Sequence, residues 1–232
     1  AEKTLFFQGL RAIAARVVDY KMPEYNPQNL SSLIHAVTAS GFDAPELMAA
    51  APRRLAEIIQ ECNAQDMSNL CWSYATQERD DDLVFGTVER EVRRRGCGEF
   101  QPQNVSNMAW AFAKAHRGSD ELFRLLGDAA VRLQDDYNEQ NCSNTLYAFA
   151  VADQKHEPFF RAICAQIPNR EEKFCSQDIA NCAWALATLG HSVSERLPVQ
   201  PPLHSRARGR HRAPSTSESS SDHSCQETCM AP

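Results

Sequence analysis

The amino-acid sequence predicts an all-α fold, a right-handed solenoid of about five helix-turn-helix repeats, and three observations carry that expectation. A near-identical segment recurs five times, as Tyr25–Thr38, Cys62–Ala75, Phe100–Ala113, Tyr137–Ala150 and Phe174–Ala187. Its anchoring glutamines are Gln28, Gln65, Gln103, Gln140 and Gln177, so the spacings are 37, 38, 37 and 37 residues. A fixed period of this size marks a stack of units, none of which can bury its apolar face alone. Helix-start signals stand at the same place in every copy. No stretch alternates apolar and polar residues at period two, the pattern of a half-buried strand.

The elements follow in chain order. Leu5–Val18 is amphipathic and fits the second helix of a truncated preceding repeat, occupying residues 1–24. The chain opens directly in this segment at Ala1 rather than Met, so it reads as a piece of a longer protein. Residues 25–190 form the solenoid. Each first helix, helix A, begins behind a capping residue two places before the glutamine. Asn26, Asn63 and Asn138 suit that role because an amide oxygen accepts a bond from a first-turn N–H; Gln101 and Cys175 are poorer versions. Pro27 and Pro102 follow the cap, where the missing N–H of proline goes unnoticed. Tyr25/Leu30, Cys62/Met67, Phe100/Val105, Tyr137/Cys142 and Phe174/Ile179 pair as hydrophobic staples.

At ~100° per residue, positions two, five, six and nine after the glutamine form one broad apolar face. In the third copy these are Val105, Met108, Ala109 and Phe112. The glutamine and the residues four and seven places later share the opposite side, as in Gln103, Asn107 and Trp110. Helix B follows a short polar link, with apolar residues nineteen, twenty and twenty-three places after the glutamine. They are Leu47, Met48 and Ala51, then Val84, Phe85 and Val88, then Leu122, Phe123 and Leu126, then Phe159, Phe160 and Ile163. The clearest B helices are predicted at Asp120–Gln134 and Glu157–Ile167. Gly96-Cys97-Gly98 accommodates the single extra residue between the second and third copies.

After Gly190 the pattern stops. Residues 191–232 hold no Phe, Trp or Tyr and are rich in Ser, Pro, Arg and His, so they are predicted to be a disordered tail. The fifth repeat then lacks a helix B, and Ile179, Cys182 and Leu186 are expected to be partly uncovered. The run Arg206–Arg212 reads as a solvated basic segment.

Composition narrows the function classes. Hydrophobic residues make up 43%, enough for a packed core, yet no run approaches the ~18 apolar residues of a membrane span. The net charge is −6. Setting aside the tail's five arginines and four acids leaves 19 basic against 26 acidic residues, so the repeat body is acidic. Phosphate-driven binding favours the opposite balance. Any neutralisation of a nucleic-acid backbone would fall to Arg93, Arg94, Arg95, Lys114 and the tail. Five of the nine cysteines (Cys62, Cys71, Cys142, Cys175, Cys182) replace apolar residues of other copies and read as small hydrophobes in a reducing compartment. Cys225 and Cys229 make half a metal motif, so neither a metal nor any other cofactor is expected.

The sharpest polar feature is the recurring amide at Asn69, Asn107, Asn144 and Asn181, with Ser32 in the first copy. An amide row can read exposed base edges. It can equally form an inter-repeat ladder that satisfies neighbouring groups, and its constancy favours that structural role. Trp72, Trp110, Tyr147 and Trp184 read as stack packing. The position eleven after the glutamine varies (Ala39, Thr76, Lys114, Val151, Thr188) and is the better place for copy-by-copy discrimination. The candidate RNA-contacting residues are therefore Gln65, Asn69, Thr76, Gln103, Asn107, Lys114, Gln140, Asn144, Gln177, Asn181 and Thr188. Catalysis has little support: His35, His116 and His156 read as unrelated positions, no nucleophile recurs beside a histidine, and no glycine-rich phosphate loop is present. The acids of Arg79–Asp82 and Gln134–Asp136 read as solvated link charge. A non-enzyme is expected, with no small-molecule substrate and no membrane partner.

The copy FQPQNVSNMAWAFA and its siblings resemble the octotricopeptide and heptatricopeptide repeat class of organellar RNA-binding proteins. They are also similar to the helical regions of FAST-kinase-like proteins and of a subunit of the RNA-editing substrate-binding complex. The resemblance spans about Leu5–Gly190. It implies an α-solenoid, single-stranded RNA as partner, a part in RNA processing, and a mitochondrion or plastid as location. A protein–protein scaffold within an organellar ribonucleoprotein is the alternative, which the acidic body favours.

Overall fold

The computed structural model describes residues 22–167 and 171–190, together with residues 9, 11–13 and 16. The predicted tail, with Cys225 and Cys229, lies outside the described residues, as does most of the predicted helix Leu5–Val18, whose described members are helical.

Among the described residues nine longer α-helices follow one another and no strand occurs. They are α1 (Pro27–Ala39), α2 (Pro45–Ile58), α3 (Ala64–Thr76), α4 (Asp82–Arg95), α5 (Pro102–Lys114), α6 (Asp120–Arg132), α7 (Glu139–Val151), α8 (Glu157–Gln166) and α9 (Ser176–Thr188). The odd-numbered helices are the predicted A helices. All five begin one residue before the anchoring glutamine and run 13 residues. All four B helices begin at the seventeenth residue after it. The extra residue of the second repeat falls where predicted: α2 and α4 are both 14 residues long, but the link after α4, which opens on Gly96 at φ +74°, runs 96–101 where the link after α2 runs 59–63.

The caps work as the sequence indicates. Asn26, Asn63 and Asn138 each accept from the backbone N–H three residues on. In four copies the Asx at that third position reaches back to the cap's own N–H, through Asp66, Asn104, Asn141 and Asp178. Every A helix ends the same way, thirteen residues past the glutamine, in the left-handed region: Gly41, Glu78, His116, Asp153 and Gly190 have φ of 68°, 54°, 52°, 52° and 72°. Only glycine adopts this conformation without steric cost, so three copies hold strained non-glycine residues there. The reversal makes a six-to-one bond behind it, as from Arg79 N to Tyr74 O and from Arg117 N to Phe112 O.

Each A helix uses four faces. The apolar set turns toward the B layer and is wholly buried in the second, third and fourth repeats. The residues one and eight places after the glutamine meet the preceding repeat, and those three and ten places after meet the following one. The terminal copies prove the assignment. Asn29 and Ala36 are exposed in the first repeat, which has no preceding A helix among the described residues, while Asp66, Ser73, Ala111 and Ala185 are buried. Ala180 and Ala187 are exposed in the last repeat, while Ser31, Ser68, Ser106 and Ser143 are buried. Small residues on both flanks let A helices approach closely, and they pack on one another far more extensively than B helices do. The tighter layer forms the inner wall of a curved stack.

Polar ties cross between repeats in two rows. Inside, Ser31 donates to Asp66 at 2.6 Å, Asn104 donates to Ser68 at 3.4 Å, and Ser143 donates to Asp178 at 2.6 Å. Along the edge where A helices end, Arg79 pairs with Asp43, Arg117 with both Asp80 and Asp82, and Gln154 donates to Asp120. The acids of Arg79–Asp82 were expected to be plain solvated charge. Two of them instead clasp the next repeat, and Asp81 caps α4 by accepting from Leu83 and Val84 N–H groups. Of the three apolar residues expected to lie uncovered in the fifth repeat, only Ile179 does, at 53% exposure; Cys182 and Leu186 are buried in the shared core.

Candidate nucleic-acid interface

The fourth face of each A helix points away from the B layer, into the hollow of the curve. It carries the glutamine, the amide four residues on and the ring seven residues on, at ~100° per residue within one narrow sector. The first cleft on this wall, about 290 Å³, is lined by Gln65, Asn69, Gln103 and Asn107 together with Asn63, Gln101, Asn104 and Glu99. A second, about 230 Å³, is lined by Gln103, Asn107, Gln140 and Asn144 with His35, Trp72, Asn138 and Asn141. Gln103 and Asn107 belong to both, so the two clefts adjoin. His35 belongs to the first repeat and Asn144 to the fourth, so the stack curves strongly enough to bring them to one cavity.

Six of the eleven predicted residues thus converge. The others do not. Gln177 and Asn181 sit beyond the clefts and bond each other at 2.9 Å. Thr76, Lys114 and Thr188 lie at the C-terminal ends of their helices, outside both linings. Among the described residues the Thr76 hydroxyl is buried without a partner, and Lys114 is tethered, 3.9 Å from Glu78 and 5.5 Å above the Trp110 ring.

The amide row is not the inter-repeat ladder. That role belongs to the buried Ser and Asx residues on the flanks. Among the described residues the side chains of Asn69, Asn107 and Asn144 make no hydrogen bond, and they are half-buried on the cleft wall. An amide in that position is available to solvent or ligand.

The rings that the repeat spacing predicts to fill the stack also face the hollow. Trp72, Trp110 and Tyr147 are half-buried and Trp184 is 46% exposed. His35, which looked unrelated by position, stands seven places after Gln28 and is the first member of this row. It meets Trp72 with centroids 5.0 Å apart, and Tyr147 meets Trp184 at 5.1 Å. Counting His35 from its own glutamine would have found it.

Charge lies elsewhere. Arg93 pairs with Glu121, and Arg94 and Arg95 both hold Glu91. The bonds from Arg94, aided by the charge of Arg95, keep the Glu91 carboxyl below the usual carboxylate range. Arg95 also donates to the Cys62 carbonyl at 2.7 Å, so this basic trio is committed to the fold. The thiols of Cys62, Cys97 and Cys182 are each pushed up to about 12 by burial, as inert core residues are. Among the described residues no cluster of His, Cys, Asp and Glu could hold a metal ion, and no helix is long and apolar enough to cross a membrane.

No curated protein matches this chain. A family profile does, described as RNA-editing substrate-binding complex 6 protein, and the match covers residues 8–196, which includes every repeat described above. On that match, the chain belongs to the RNA-editing substrate-binding complex 6 protein family.

Proposed function

We propose that this protein binds single-stranded RNA along the inner wall of its A helices and serves RNA editing or related RNA processing in an organelle, without catalysing a reaction itself. The observation that carries the reading is the convergence of the amides of Asn69, Asn107 and Asn144, unbonded among the described residues, with the half-buried rings of His35 and Trp72 on one adjoining pair of clefts. Helical-repeat RNA binders read unstacked bases with a few such side chains per repeat. Family membership supports the same direction, and the likeness to octotricopeptide repeats adds a mitochondrion or plastid as the setting. Neither cleft is lined by a lysine or arginine, and among the described residues Arg93, Arg94, Arg95 and Arg117 are engaged in ion pairs. The affinity should depend weakly on salt, with a slope of about 0.7 per phosphate contact and only one to three contacts.

The acidic repeat body favours a second reading, a scaffold that binds protein components of an RNA-editing complex. Fluorescence anisotropy of the full chain with short single-stranded RNA at low salt separates the two. Saturable binding with a shallow salt slope supports RNA binding. No RNA binding, with retention of protein partners on the immobilised chain, supports the scaffold.

A further inference from the structure

The aromatic row is closed at both ends and open in the middle. His35 touches Trp72, and Tyr147 touches Trp184, but among the described residues Trp72 and Trp110 make no ring contact with each other. The second cleft opens beside Trp72, and Trp110 is not part of its lining. On one side stand His35 and Trp72 of the first two repeats; on the other, the amides of Gln103, Asn107, Asn138 and Asn144 from the next two. No carboxylate, ammonium or guanidinium lines it. At about 230 Å³ it is smaller than the usual drug-sized pocket of ~300–1,000 Å³. A space of this size and lining suits one planar, neutral, hydrogen-bonding heterocycle rather than a phosphate, a cation or an apolar chain.

We propose that this cleft takes a single unpaired nucleobase, packed on Trp72 and held at its edge by the amides of Asn107 and Asn144. The assignment rests on the RNA-binding reading and deepens it, because it places one base at one point of the stack instead of spreading contacts evenly over five repeats. An asparagine amide presents a donor beside an acceptor, the pattern of a base edge, and can bond it twice. The free amides of Asn107 and Asn144 need no rearrangement to do so. The fifth repeat cannot repeat the arrangement, since the Gln177 amide already donates to Asn181.

The test uses the full chain and a short single-stranded RNA, compared with the same RNA carrying abasic positions one at a time. One abasic position should weaken binding roughly tenfold or more while the others change it little. Asn144→Leu, which keeps the side-chain size, should impose a similar loss on the intact RNA and none on the RNA already abasic at that position. As a measurement independent of any variant's folding, 4-thiouridine at the sensitive position should crosslink to the peptide holding Trp72 or that holding His35. If every abasic RNA binds as well as the intact one, or if the crosslink falls outside these peptides, the nucleobase site is wrong although RNA binding stands. A chain that binds none of the RNAs overturns both.

Discussion

Gly127 on α6 lies beneath the His156 ring, and Gly127→Ala sets two effects against each other. In a solvated helix the change would stabilise by about 1 kcal/mol through helix propensity. Here a Cβ would stand 2.5 Å from two ring carbons of His156 and 2.9 Å from Nε2. The ring cannot step aside freely. It is 8% exposed, its Nδ1 accepts from the Phe159 N–H at 3.2 Å to cap α8, and Nε2 is 3.0 Å from Asp128 Oδ1. With Nδ1 accepting, the proton sits on Nε2 and is donated to Asp128. Overpacking costs about 1–3 kcal/mol. Losing the cap adds about 1 kcal/mol, and the bond to Asp128 about 0.5–1.5 kcal/mol. Against the propensity gain, a net loss of about 2–4 kcal/mol in urea unfolding is expected. In the His156→Ala background, where no ring opposes the new methyl group, the same substitution should stabilise. A double-mutant cycle measures that coupling directly. Stabilisation by Gly127→Ala alone, or an equal effect in both backgrounds, would refute the reasoning.

Other substitutions test the ties between repeats. Ser143→Ala removes a 2.6 Å bond to the buried Asp178 carboxylate, leaving it the Cys175 N–H at 3.3 Å, and should cost about 1–3 kcal/mol by urea midpoint. Ser68→Ala, whose partner is a neutral amide at 3.4 Å, should cost less than Ser143→Ala; the reverse order would contradict the ladder. Glu78→Gly and His116→Gly should each raise the melting temperature, a gain of about 0.5–1 kcal/mol, because the left-handed backbone at φ 54° and 52° penalises a side chain. The buried thiols of Cys62, Cys97 and Cys182 should alkylate slowly at pH 8 in the native protein. Because their folded values are raised from 9.0 to about 12, the stability they contribute is fully present below pH 9 and is lost as pH rises through 12.

The helix pattern was legible because it is local. An amide cap, a proline and an apolar staple specify a helix start within six residues, and repetition removes the ambiguity any one copy would carry. The extra residue at Gly96 was legible for the same reason, since glycine is the residue that ends α4 at positive φ. The Ser–Asx ladder was not. Its members stand two positions apart in the repeat and their bonds join different copies, as Ser31 joins Asp66, so no single segment displays the pair. The row at Asn69, Asn107 and Asn144 drew attention instead because constancy alone cannot distinguish a buried tie from a face turned to solvent. Curvature was also hidden. It arises from the difference in packing between the A and B layers, and it alone brings His35 to the cavity that holds Asn144.

Crosslinking of bound single-stranded RNA to the full chain, with the adducts mapped by mass spectrometry, tests the central claim most directly. Binding along the inner wall predicts adducts on the A helices, above all on the stretches Gln65–Trp72, Gln103–Trp110 and Gln140–Tyr147. Adducts confined to the B helices α2, α4, α6 and α8, or none under conditions where a partner protein is still retained, would contradict it.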